Sequence, residues 1–99
     1  MIIEYACLRI APIHQPAFEA VAPQAREILL AAPGCQEVLI SKAIDQADVY
    51  LLRVGWDTIA SHVETFPTTP QAAQLADLVG GYFASDPVVV HFDTRDLTA

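Results

Sequence analysis

The sequence predicts an α+β domain in which a four-stranded antiparallel sheet carries its helices on one face. Three observations point there. Runs of β character and runs of helical periodicity follow one another in the order β, α, β, β, α(α), β. The two central β-rich runs are joined by DQAD, a short polar connection of hairpin type. A chain of 99 residues with 54% hydrophobic and 17% charged side chains has the size and composition of one compact domain spanning residues 1–99.

The first strand is IIEYACLRIA, residues 2–11, which Pro12 ends because proline cannot donate to a sheet ladder. Phe18, Val21, Ala22, Ala25, Ile28, Leu29 and Ala32 then recur at spacings of three and four, one face of a helix from about 16 to 32. Pro16 suits its first turn, and Pro33 and Gly34 stop it. Pro23 falls inside the periodic stretch without an N–H to give, so a kink or restart is expected near residue 22. CQEVLISKAI (35–44) and VYLLRVGW (49–56) form the hairpin. Asp57 or Thr58 can cap a short helix with Ile59, Val63 and Phe66 on its inner face. Thr69 caps and Pro70 opens a second one, with Ala72, Leu75, Leu78 and Val79 on one side and Gly80 and Gly81 closing it. PVVVHF (87–92) is the last strand, followed by a polar tail.

This order is the split βαβ pattern of a ferredoxin-like domain, βαββααβ. Right-handed crossovers give the strand order 4-1-3-2 with helices on one face. Such a sheet should alternate apolar with polar residues, yet strand four reads Val88, Val89, Val90 and strand three Val49, Tyr50, Leu51, Leu52. The face without helices therefore needs a cover, and a second copy of the same sheet supplies one through a two-fold, sheet-to-sheet contact.

Twelve acidic against five basic residues give a net charge of −7, which repels phosphate backbones and anionic lipid. Neither nucleic acid nor a membrane is expected as a partner. No apolar run has the length of a membrane span and no basic segment heads a secretory signal, so a cytoplasmic protein is expected. Cys7 and Cys35 lack zinc-ligand spacing and read as reduced core thiols. The absence of Asn, a single Lys and many Ala suggest a G+C-rich bacterial source.

Residues 33–71, PGCQEVLISKAIDQADVYLLRVGWDTIASHVETFPTTPQ, resemble the central segment of the dimeric α/β-barrel superfamily, specifically the antibiotic biosynthesis monooxygenase (ABM) domain family. The shared features are Pro-Gly before strand two, the hairpin, strand three ending in Trp56, an acidic residue, and His62 six positions after the Trp. FPTTPQ and PVVVHFD also look like the family's later segments. The resemblance implies a barrel closed between two subunits, with a small-molecule cleft between each sheet and its own helices. It implies oxidation of phenolic or quinol-type molecules by O₂ without metal or flavin in some members, and haem degradation, isomerisation or simple binding in others. Two positions depart from the active patterns. Leu52 stands where polyketide-oxidising members place an Asn four residues before the Trp, and Leu8 precedes Arg9 where haem-degrading members place an Asn.

Strand alternation puts Tyr50, Leu52, Val54 and Trp56 on one face, which the resemblance turns toward the cleft. Trp56, Leu52, Val54, Leu8 and Phe66 are the expected substrate-binding residues, with Trp56 either stacking a flat ligand or capping the core. His62, at the edge of its helix's apolar face, is the expected general base and the only one near the cleft, and Tyr50 or Tyr82 would hold the developing oxyanion. Glu4 is either a cleft carboxylate or an exposed strand-end residue, the second being preferred. His91 and His14 lack partners at metal-ligand spacing and read as structural or solvated; no metal or other cofactor is expected. Arg53, in an apolar strand, needs a carboxylate, expected from the other subunit. The leading functional expectation is a small homodimeric, cofactor-independent monooxygenase. The alternatives are a non-catalytic barrel that binds a hydrophobic small molecule or serves a stress response, and an isomerase or lyase acting on a small aromatic metabolite.

Overall fold

A computed structural model describes residues 1–99, with strands β1 (Ile2–Arg9), β2 (Cys35–Lys42), β3 (Val49–Trp56) and β4 (Val88–Asp93) and helices α1 (Gln15–Leu30) and α2 (Pro70–Val79). The strands pair antiparallel throughout, in the order β2-β3-β1-β4, which is the expected order counted from the opposite edge. Register sets the faces. Glu4, Ala6 and Leu8 of β1 lie opposite Val54, Leu52 and Tyr50 of β3, and Glu4 and Ala6 lie opposite His91 and Val89 of β4. These residues point toward the helices, because successive side chains of a strand alternate between faces. No helix is long and apolar enough to cross a membrane.

The core between sheet and helices has two parts. One gathers Ala6, Leu8, Ile10, Phe18, Ala25, Tyr50 and Val79; the other gathers Leu29, Ala32, Val38, Val54 and Trp56. Phe18, Ala25 and Leu29 are buried at helical spacing along α1, as the sequence predicts. The helix runs through Pro23 without a restart. The Pro23 ring lies on the exposed face, so the missing hydrogen bond falls on the solvent side while the buried residues hold the helix together. After α1, Gly34 takes φ +82°, a left-handed conformation open to glycine. Its carbonyl accepts the Asp57 N–H at 2.8 Å, and a Cβ there would collide with the Asp57 carboxylate and the Ser61 side chain.

At the far end of the sheet, Gln15 Nε2 donates to the carbonyls of Ile10 (3.0 Å) and Ala47 (2.7 Å), and Lys42 Nζ donates to Gln15 Oε1 (3.0 Å). These bonds tie the β2–β3 turn to the start of α1. Thr69 caps α2 by accepting the Ala72 N–H, as expected.

The segment after β3 departs from expectation. Thr58 Oγ1 accepts the Ser61 N–H as a cap, but Ser61–Thr65 then winds as a π-helix, with the Phe66 N–H donating to the Ser61 carbonyl. The wider winding breaks the α spacing used to read this stretch. Ile59 and Val63 are each 49% exposed, while His62 and Phe66 turn inward, so of the expected inner face only Phe66 is inside.

On the helix-free face, Ile3, Tyr5, Cys7, Leu39, Leu51, Val88, Val90 and Phe92 lie side by side by register. Leu39, Val88, Val90 and Phe92 are exposed there. Arg53 finds its carboxylate within its own chain rather than in another subunit: its Nη1 lies 2.6 Å from Glu37 Oε1, and the guanidinium sits over the Tyr5 ring. Glu37 is reachable because β2 and β3 are neighbours and a register shift between Cys35 and Glu37 brings it opposite Gly55.

Candidate functional site

Between the inner sheet face and the helices is a cavity of about 250 Å³, walled by Leu8, Phe18, Leu29, Leu52, Leu75 and Val79 and bordered by Phe83, Pro87 and Val89. It exists because β4 is the edge strand and the two helices do not reach across it, which leaves Val89 41% exposed at the rim. Glu4 is the one charged residue in the lining.

Glu4 is 5% exposed, which corrects the expectation of an exposed strand end. It shares the inward parity of Ala6 and Leu8, and the buried indole beside it supplies a hydrogen bond that makes the position tenable. Trp56 Nε1 donates to Glu4 Oε1 at 3.0 Å, and His62 Nε2 lies 3.3 Å from the same oxygen. Oε2 makes no hydrogen bond, and no sealed side-chain oxygen or nitrogen lacks a partner, so Oε2 opens onto the cavity. Burial raises the Glu4 pKa above its ordinary value, and the Trp56 bond offsets part of that rise.

His62 lies behind Glu4. Its ring stacks on the indole of Trp56 with centroids 5.1 Å apart and planes 12° apart, and its Nδ1 is 2.7 Å from Nε2 of His91. Burial, with His91 adding to it, pushes the His62 pKa down to about 4. Glu4, with an oxygen 3.3 Å from Nε2, does not reverse that shift. His62 is thus a neutral imidazole whose Nδ1 is bonded to His91 and whose Nε2 lies close to Glu4 Oε1 without a hydrogen bond to it. His91, expected to be structural or solvated, is instead its partner, and His62 is not the only titratable group by the cleft. The β1–β4 register accounts for this by placing Glu4 directly opposite His91. The three groups form a row through the two ring nitrogens of His62 rather than converging on one point, and no cluster of His, Cys, Asp and Glu is arranged to hold a metal. Cys35, opposite Trp56 in the register, has its thiol pushed up to about 11 by burial and by the charge of Glu4.

The other expected residues divide by position. Leu8 and Leu52 line the cavity. Val54 and Trp56 are 0% exposed; one face of the indole is taken by His62, and Phe66 packs edge-on at 5.5 Å. Tyr50 stands six residues from Trp56 on β3, about 20 Å away along the strand. Its hydroxyl donates to Glu19, and burial together with that carboxylate pushes its pKa up to about 12. Tyr82 packs against the first core group and beside the His14 ring. The structure therefore brings His62 to Trp56 but neither tyrosine to His62. His91 is the residue missed by sequence reasoning and Glu4 the one whose cleft reading was ranked second, and the available signal was an acid and an imidazole of inward parity on two strands.

A family model described as antibiotic biosynthesis monooxygenase matches residues 1–77. A solved structure from Bordetella bronchiseptica, named for that family, is 32% identical, covers 95% of this chain and 96% of its own, and superposes with a TM-score of 0.89. A Caulobacter crescentus protein of the same family name shares the fold at 19% identity and a TM-score of 0.80, over 96% of this chain and 90% of its own. The Bacillus subtilis protein YczJ is 29% identical over 92 residues, 93% of this chain and 97% of its own.

Proposed function

Since the chain belongs to the antibiotic biosynthesis monooxygenase family, we propose that it is a small oxygenase that reacts a flat phenolic or quinol-type molecule with O₂ in the cleft, without metal or flavin. The observation that carries this reading is the lone carboxyl in an otherwise apolar cavity: Glu4, with one oxygen anchored by Trp56 and the other open to a ligand. Phenolate oxidation asks for a dry pocket and a base, and burial makes Glu4 the more effective proton acceptor by raising its pKa. Glu4 takes the role first expected of His62, because the carboxyl stands between the imidazole and the cavity and His62 is a weak base near neutrality.

For a quinol the steps balance as follows. Glu4 accepts a hydroxyl proton, and the quinolate transfers electrons to O₂ and forms a carbon–oxygen bond, giving a peroxide anion on that carbon. Loss of the ring proton at that carbon and cleavage of the O–O bond release water and leave a hydroxyquinone. One oxygen atom goes to the product and one to water, and the proton held by Glu4 returns to the departing oxygen.

A homodimer formed through the helix-free sheet face belongs to the same proposal, supported by the exposed apolar residues of β2 and β4. Leu8 and Leu52 in the cavity wall favour a second reading, a binding protein without turnover, because neither can orient oxygen or substrate through a hydrogen bond. Oxygen-electrode assays with substituted phenols and quinols decide between them. Uptake that falls on the order of 100-fold in Glu4→Gln supports the oxygenase. Saturable ligand binding with no oxygen uptake supports the binding protein, and product formation without uptake supports an isomerase or lyase.

A further inference from the structure

Glu4 is the only charged group lining the cleft, so a ligand that fills the cavity cuts Oε2 off from water on that side. Behind it, Oε1 lies 3.3 Å from His62 Nε2, and His62 Nδ1 lies 2.7 Å from His91 Nε2. His91 sits on β4, the edge strand, and is only partly buried; its Nδ1 makes no hydrogen bond and is not sealed, so it meets solvent. We propose that Glu4, His62 and His91 form a proton conduit joining the cleft-facing carboxyl to solvent at the open edge of the sheet.

The conduit has two states that differ by one proton. In the first, Glu4 is a carboxylate, His62 Nε2–H lies 3.3 Å from Oε1 and needs only a turn of the ring to donate to it, and His62 Nδ1 accepts from His91 Nε2–H. In the second, the Glu4 hydroxyl donates to His62 Nε2, His62 Nδ1–H donates to His91 Nε2, and His91 carries its proton on Nδ1. A proton taken from water at His91 Nδ1 converts the first state into the second. His91 passes its Nε2 proton to His62, and His62 passes its own to Glu4. No imidazolium need persist, in keeping with the burial that disfavours a charged His62. The reverse sequence releases a proton. The remaining surroundings do not compete for it. Among the residues packed here β3 contributes Trp56, which fixes Oε1 but does not titrate, and the helices contribute Leu29 and Leu75. Cys35 from β2 stays a thiol.

The inference concerns how Glu4 gains and loses its proton and holds whichever reaction the cleft performs. Its test needs no substrate. Full-length protein labelled with ¹⁵N at histidine and ¹³C at glutamate is titrated by NMR. The expected result is a single midpoint at which the Glu4 carboxyl protonates while both His62 and His91 change from the Nε2–H to the Nδ1–H tautomer. In His91→Phe, the expected result is that His62 keeps one tautomer as Glu4 titrates. Tautomers that stay fixed in the unsubstituted protein while Glu4 protonates would overturn the conduit, as would a His91 imidazolium persisting beside an ionised Glu4. The measurement on the unsubstituted protein stands even if the variant fails to fold. Loss of oxygenase activity in every assay would leave this result unaffected, so the two proposals fail separately.

Discussion

His62 and Glu4 are pushed by the same burial in directions that make opposite demands on pH. The folded-state pKa of His62, about 4, lies below its ordinary 6.5, so between those values the unfolded chain binds the proton more readily. The contribution of His62 to stability is full above 6.5 and is lost as pH falls toward about 4. Glu4 has a raised pKa, so its contribution is full below 4.5 and is lost as pH rises through its folded-state value. Thermal melts of His62→Phe should therefore show a flatter dependence between pH 6.5 and 4 than the unsubstituted protein. Glu4→Gln should be the more stable protein at pH 7, with that advantage gone at pH 3. The pairing of Trp56 with His62 was legible from their spacing and the family resemblance. Glu4 was not, because a lone acid on a strand is ordinarily an exposed one, and the hydrogen bond that makes it tenable comes from a residue 52 positions away.

Among the elements, the β-rich run VYLLRVGW beside a polar hairpin connection marked β3 to the residue, although its two faces do not alternate, whereas the winding after it left no mark in the pattern. A π-turn has no spacing of its own in a short stretch, and Ile59, Val63 and Phe66 fit an α-helix equally well on paper. The consequence is measurable by urea denaturation. Val63→Glu should change stability by less than about 0.5 kcal/mol, as at most exposed sites. Phe66→Ala should cost on the order of 3 kcal/mol, because Phe66 packs against Trp56 and His62. Pro23 offers the opposite sign. It occupies an exposed position inside an unbroken α1, so Pro23→Ala restores a backbone donor and should add about 2 kcal/mol after allowing for the freer unfolded chain.

At the scale of the molecule, strand order and the helix-bearing face followed from element order and crossover handedness alone, since few topologies satisfy both. The cavity was expected only through the family resemblance, because no periodic pattern in the sequence reports how far two helices reach over the edge strand β4. The apolar helix-free face predicts a sedimenting mass twice the chain's 10.7 kDa at micromolar concentration. Val90→Asp, on that face, should shift the protein toward monomer; the comparison must be made at one protein concentration, because dimer stability depends on it.

Trp56 is also the chain's one tryptophan, fully enclosed and lying flat against an imidazole whose charge depends on pH. The protein thus carries its own optical reporter at the back of the cleft. Its emission should be blue-shifted in the folded state and move to the red on unfolding. As a positive charge on the stacked ring draws electron density from the excited indole, acid should dim it around the point where His62 protonates, before the chain unfolds. A molecule entering the cavity and hydrogen-bonding to Glu4 would perturb the same indole through its N–H, so ligand screening needs no added dye.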